Sequence, residues 1–223
     1  MKRLLAPILA IFGASSAAQP QPKVEMVDTK SIRYTMPTIA ADSLEFAVPT
    51  RESFEGAPQF HEDEWAQLEF FPKGRLEEIK GLLAEYKPFE QAHRGQYGWD
   101  QIYARHVARH PIIAGTDAVS HLAGTLDAVL TNAPILLTSS SALGQVQGGF
   151  TVPIAHKVNL YGLKGESGIT VLGAILDSGA DDLVLTKTFA KLSAAHNLIL
   201  IDWRSQMVLV GFDRHGDIDV WRP

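Results

Sequence analysis

The 223 residues include no cysteine, which removes thiol catalysis, thiolate zinc sites, iron–sulfur clusters and disulfides and leaves a hydrophobic core as the source of stability. Lys and Arg number 20 against 25 Asp and Glu, a formal charge of −5, and no basic stripe interrupts that balance, so nucleic acid is not an expected partner. An apolar share of 46% with 20% charged residues is that of an ordinary globular protein.

The chain opens MKRLLAPILAIFGASSAAQPQP. Lys2 and Arg3 form a basic start, Leu4 to Phe12 a short apolar run, and Ser16-Ala17-Ala18 a small-residue cleavage site. This pattern predicts a signal peptide over residues 1–18, a mature start near Gln19, and a location in the periplasm or outside the cell. The apolar run falls short of the roughly 20 residues that span a bilayer, and no later stretch reaches that length, so the mature chain is expected to have no membrane span. Residues 19–223 are expected to form a single α+β domain, with 133 as the candidate point of subdivision.

Residues 23–50 read as extended and are punctuated by Pro37 and Pro49. In EWAQLEFF, Glu64 to Phe71, the residues Ala66, Leu68 and Phe70 alternate with Gln67 and Glu69, predicting a half-buried strand that Pro72 ends. Leu76, Ile79, Leu83 and Tyr86 recur at helical spacing and predict a helix over 73–86 stopped by Pro88. Helices are also expected over 98–109 and 116–130, the latter with Thr116 as N-cap and Asp117 in the positive first turn. From Pro134 the texture changes to short apolar and β-branched segments separated by glycines. A helix over 185–195, with Leu185, Phe189 and Leu192 on one face, then precedes the clearest pattern in the chain, NLILIDWRSQMVLVGFDRHGDIDVWRP. It predicts three antiparallel strands with turns at Arg204-Ser205 and at Asp213–Gly216, the second suited to type I. Leu198 to Ile201 is apolar at every position, as in a strand covered on both faces. The expected fold is α+β, with helices mainly in the N-terminal half and a mainly antiparallel sheet ending in a three-stranded C-terminal meander.

RHVARHP, Arg105 to Pro111, holds two histidines four apart. On a helix at about 100° per residue, His106 and His110 share the face of Trp99, Ile102 and Tyr103, with Arg105 and Arg109 to one side. That spacing could aim two imidazoles at one metal. Three features oppose it: Pro111 disfavours helix at His110, Val107 stands where a metalloprotease helix has its glutamate, and His121 faces away from its own apolar stripe. The segment is therefore expected to be the basic end of a helix, where cations complement the dipole, and no metal or other cofactor is expected.

Other constellations have plain structural explanations. Ser139, Ser140 and Ser141 lack the glycine frame of a nucleophile elbow, although Ser140 or Ser141 could act if His121 or His156 lay within reach. HEDEW, His61 to Trp65, is expected to be a solvated loop, with an acidic contact patch for a basic partner as its functional alternative. Asp213 to Asp219 departs from a calcium loop in glycine position and final ligand. Trp203 and Arg204, with Trp221 two strands away, combine residue types common at binding hot spots, and a Trp–Arg stack supporting the sheet is their structural explanation.

These features point to an exported soluble protein that binds another protein in the cell envelope, as an inhibitor or immunity-like protein or an accessory to an envelope assembly. Its candidate binding surface comprises Trp203, Arg204, Trp221, His106 and His110. The alternative is a periplasmic hydrolase with a non-standard Ser–His or His–metal site. The absence of a convincing catalytic set favours the binder over the enzyme.

Overall fold

The computed structural model describes residues 33–223. The expected signal peptide, the mature start near Gln19 and the first part of the extended stretch lie outside the described residues.

In chain order the elements are β1 (Thr38–Ala40), β2 (Phe46–Ala47), α1 (Arg51–Gly56), β3 (Gln59–His61), β4 (Leu68–Pro72), α2 (Leu76–His93), β5 (Arg94–Gly95), β6 (Gly98–Trp99), β7 (Tyr103–Arg105) and β8 (Ile113–Ala114). There follow α3 (Ala118–Leu126), β9 (Ile135–Leu137), β10 (Ala142–Val146), β11 (Gly149–Ala155), β12 (Val158–Gly165), β13 (Gly168–Leu176), α4 (Asp182–His196), β14 (Leu198–Asp202), β15 (Met207–Phe212) and β16 (Ile218–Trp221). The fold is α+β with mostly antiparallel sheet. Helices occur in both halves of the chain, α1 and α2 early, α3 just past the midpoint and α4 late.

The main sheet has eight strands, in the order β11-β12-β13-β4-β14-β15-β16, with β8 also paired to β13. Every pair in it is antiparallel. A four-stranded sheet runs β2-β10-β9-β3, and β1 pairs with β7 in parallel. Both larger sheets cross residue 133: β4 sits between β13 and β14, and β3 pairs with β9.

Both faces of the main sheet are covered. On one, Leu122 of α3 with Phe189 and Leu192 of α4 pack against Phe70, Leu160, Leu172, Leu198 and Leu200. On the other, α2 brings Ile79, Leu83 and Tyr86 to Phe71, Ile199 and Ile201, while the four-stranded sheet brings Phe60, Leu136 and Val146 to Tyr161 and Val171. This double cover explains the unbroken apolar run at Leu198–Ile201, all of it buried. The C-terminal meander forms as its pattern predicts, and Asp213 closes the second turn by accepting from the N–H groups of His215 and Asp217 at 2.8 and 3.0 Å.

Four expectations need correction. The helix over 73–86 continues to His93 as α2, straight through Pro88. Past the proline, Phe89 lies 5.2 Å from the Tyr103 ring and Trp99 Nε1 donates to Glu90 Oε1 at 3.2 Å, contacts that offset the missing backbone bond.

No helix forms over 98–109. Gly98 has φ +126° and sits so close to Tyr34 that an added Cβ would lie 2.3 Å from the Tyr34 carbonyl oxygen. Tyr34 and Trp99 exchange backbone hydrogen bonds at 2.8 and 3.0 Å, and Tyr103–Arg105 pairs with β1, so the segment follows partner strands rather than its helical spacing.

α3 spans Ala118–Leu126 rather than 116–130: Asp117, not Thr116, is the N-cap, and Asp127 in the left-handed region ends it. β4 begins at Leu68 rather than Glu64, because Ala66 has φ +53°, which breaks the extended run.

Candidate functional site

The register of the main sheet aligns Tyr161, Gly173, Glu69, Ile201 and Val208 in one row across five strands, so their side chains share a face. It is the face under α2 and the four-stranded sheet, and it puts Glu69 where the two covers meet. Read as the polar side of a half-buried strand, Glu69 was expected outside; it is fully buried.

Arg109 meets Glu69 there. Its Nη1 donates to Glu69 Oε1, while Nε and Nη2 donate to the two oxygens of Asp42 at 2.6 Å each. Trp203 Nε1 donates to the other Glu69 oxygen at 3.2 Å, and Trp65 Nε1 to Asp42 Oδ2 at 2.9 Å. Burial pushes the Glu69 carboxyl above its usual range, with Arg109 and Arg105 opposing that shift only in part. Burial also works against the Arg109 charge, but Glu69 and Asp42 outweigh it and hold the guanidinium firmly protonated. The two partners differ because Glu69 has no water contact, whereas Arg109 keeps some and grips two carboxylates.

Arg105 is the second buried cation, 4% exposed. Its Nη1 donates to Thr38 Oγ1 at 3.0 Å and its Nη2 to the Ala66 carbonyl at 2.8 Å, and its guanidinium carbon lies 4.8 Å from the Trp203 ring centre. Ala66, held in the left-handed region, is gripped at both ends: its N–H donates to Tyr161 Oη at 2.7 Å. Gly173 makes this reach possible, since a Cβ there would lie 2.7 Å from the Tyr161 ring.

Beside this network lies a cleft of about 680 Å³. Leu44, Phe46, Leu136 and Leu143 give it apolar walls, Trp65 and Asp42 tie it to the network, and His61, Glu62 and Asp63 stand along it. His61 Nδ1 and Asp63 Oδ1 are 2.7 Å apart. Its volume lies within the roughly 300–1,000 Å³ of ligand sites, and its lining matches their mix of apolar walls and few polar groups. The HEDEW segment thus contributes to a concave site, which its charges alone did not reveal.

The five residues of the expected binding surface do not meet as one patch. Trp203 is 1% exposed and packs edge-on against Phe71, so it supports the sheet; the arginine stacked on it is Arg105, not the neighbouring Arg204. Arg204 pairs with Glu64 at 2.9 Å. Trp221 packs at the border of the α2 cluster with Lys80 over its ring. His106 and His110 lie in the segment after β7, which is neither helix nor strand, so they are not at a helix end, and both are exposed. His106 shares a small pocket with Trp203.

The serine loop is closed on itself: Thr138 Oγ1 lies 3.2 Å from Ser141 Oγ and 3.5 Å from Ser140 Oγ. His121 is on α3 near His196, whose Nε2 is 3.2 Å from Thr125 Oγ1. Among the described residues, no group of three or more His, Asp or Glu side chains is arranged to hold a metal ion.

Sequence reasoning missed Asp42, Glu69, Arg105 and Arg109. One signal was available: a carboxylate inside LEFF, in a strand short enough to be central, needs a cation, and two arginines four apart stood ready. Compared with protein-family models, with curated proteins and with solved structures, the chain matches none of them.

Proposed function

We propose that this protein binds an extended segment of another protein of the cell envelope through the cleft between β2, β10 and the His61–Asp63 turn. The segment offers an apolar side chain to Leu44, Phe46, Leu136 and Leu143 and a basic side chain to Glu62 and Asp63. The observation that carries this reading is a cleft of about 680 Å³ whose walls are apolar and whose edge is acidic. The buried Asp42–Arg109–Glu69 network serves it by fixing the backbone around Asp42 and Trp65, so the cleft is formed before a partner arrives. An overall acidic chain suits a partner with basic character.

A random-peptide display library panned on the full chain tests this. Selected peptides should pair an apolar residue with Lys or Arg. Their affinity should fall by at least about tenfold, roughly 1.4 kcal/mol, in Glu62→Lys/Asp63→Lys and in Leu143→Asp, with melting temperature kept. Peptides that bind these variants unchanged, or a library that yields none, would reject the cleft as the site. The envelope location rests on residues 1–18, and N-terminal sequencing from the native host should find a start near Gln19.

A further inference from the structure

His61 stands at the acidic edge of the cleft, bonded to one of the two carboxylates assigned to the partner's basic side chain. Its Nδ1 lies 2.7 Å from Asp63 Oδ1, and both residues line the cleft. An ionised carboxylate oxygen and a bare imidazole nitrogen are both acceptors and would repel at that distance, so Nδ1 carries a hydrogen and donates it. The Asp63 amide, 3.5 Å from the same nitrogen, is too distant to compete for it. The other ring nitrogen, Nε2, is bonded to no protein atom among the described residues and is the atom that gains or loses a proton. The His61 and Asp63 side chains are 43% and 27% exposed, so both solvent and a ligand reach the pair.

The charges around His61 are of one sign where they are free. On its own turn, Glu62 and Asp63 line the cleft, while Glu64 is paired with Arg204 from the β14–β15 turn. From the segment after β1, Asp42 also lines the cleft, but Arg109 holds both its oxygens. On the β9 side, the register partner of His61 is the apolar Leu137. Tyr34 is the remaining titratable residue of the lining, and no Lys or Arg is among the described residues that form it. A neutral His61 thus leaves the edge to the negative charges of Glu62 and Asp63, and a protonated His61 cancels one of them at hydrogen-bonding distance.

We infer that His61 makes binding in the cleft pH-dependent: the neutral imidazole leaves Asp63 to the partner's Lys or Arg side chain, and the imidazolium competes with that side chain for it. This control rests on the peptide reading of the same cleft and names its regulation. Affinity is highest above the range in which an imidazole ordinarily charges, about pH 5–8, and falls as pH drops through that range. By linkage, a bound basic side chain makes His61 harder to protonate. Because both members of the pair keep water contact, the added charge acts with screened strength, changing Kd by about 3- to 10-fold.

The test uses the full chain and a display-selected peptide that carries one Lys or Arg. Its Kd, read by fluorescence anisotropy, should rise about 3- to 10-fold between about pH 8 and about pH 5.5. His61→Gln keeps a donor for Asp63 but takes up no proton, and should flatten the profile to within about twofold. Replacing the peptide's basic residue with norleucine should flatten it equally in the unaltered chain. Titration of Glu69 or another carboxylate would appear in both proteins and drops out of their comparison. In ¹⁵N-labelled protein at about pH 8, the His61 ring should show the Nδ1–H tautomer. The inference is overturned if His61→Gln and the unaltered chain share one pH profile, if the norleucine peptide keeps the full pH dependence, or if the ring is in the Nε2–H form. Peptides that Glu62→Lys/Asp63→Lys and Leu143→Asp fail to weaken, or a library that yields none, reject the cleft and this control with it. Peptides that obey those variants but ignore His61→Gln reject the control alone.

Discussion

On one face of the main sheet, α3 and α4 bury Leu122, Phe189 and Leu192 against Phe70, Leu160 and Leu200, and no charged residue is among the buried members of that cluster. On the other face, α2 and the four-stranded sheet cover the same strands but leave a seam, and Glu69, Arg105, Arg109, Thr38 and Gln67 occupy it. The first face needs only shape and apolar area. The second places charged and polar groups inside the fold, most of them bonded to one another, and both pockets lie along it. Buried polar groups are retained where they fix one arrangement, and here they fix the backbone that shapes the cleft.

The largest expected effects separate the two faces by pH rather than by size. Phe189→Ala should cost about 3–5 kcal/mol of unfolding free energy through a cavity, equally at pH 4.5 and pH 7. Arg109→Ala should also cost about 3–5 kcal/mol at pH 7, because it strands a buried carboxylate. Its cost should shrink toward acid. Glu69 has a folded pKa raised above the unfolded one, so it contributes stability below the ordinary carboxylate range, and that contribution is lost as pH rises through the folded value. Removing Arg109 takes away a charge that lowers this pKa, so the folded value climbs further and the loss steepens. Urea melts at the two pH values check both variants. A pH-independent cost for Arg109→Ala would mean that Glu69 does not carry the charge in this network.

A middle-sized effect sharpens the same contrast without touching a charge. Tyr161→Phe keeps the ring that packs between Phe60 and Trp65 but removes the acceptor of the Ala66 N–H. One buried donor left unmet should cost about 1–3 kcal/mol. The loss should also loosen Ala66, seen as faster amide exchange there. A stability unchanged within error would show that the hydroxyl is not what holds the left-handed Ala66 in place.

The apolar face was largely legible in the sequence. Leu185, Phe189 and Leu192 marked α4 and its buried side, and the unbroken Leu198–Ile201 announced a strand covered twice, because periodicity reports burial directly. The seam was not legible. Glu69 took its place in a polar–apolar alternation, and alternation cannot tell water from a buried arginine as the polar neighbour. Arg105 and Arg109 were read on a helix because Trp99, Ile102, Tyr103 and His106 keep helical spacing. The glycine conformation at Gly98 and the pairing with Tyr34 and β1 are non-local and overrode that spacing. The pairing of HEDEW with Leu44 and Phe46 across the cleft depends on the same long-range contacts.

The smallest effect concerns two neighbours in IDWR. Trp203 is inside the seam, gripping Glu69 and carrying Arg105 on its ring, whereas Arg204 projects outward, its side chain 47% exposed in a pair with Glu64 that is itself 33% exposed. An ion pair in water gains little, because screening and the entropy of holding two long side chains offset the Coulomb term, so Arg204→Ala should cost less than about 1 kcal/mol. Raising salt should erase what cost there is, since the Debye length falls to about 3 Å at 1 M. Peptide binding in the cleft should be unaffected, as neither Arg204 nor Glu64 lines it. A cost of several kcal/mol that survives high salt would place Arg204 within the buried network and move the border of the seam outward by one residue.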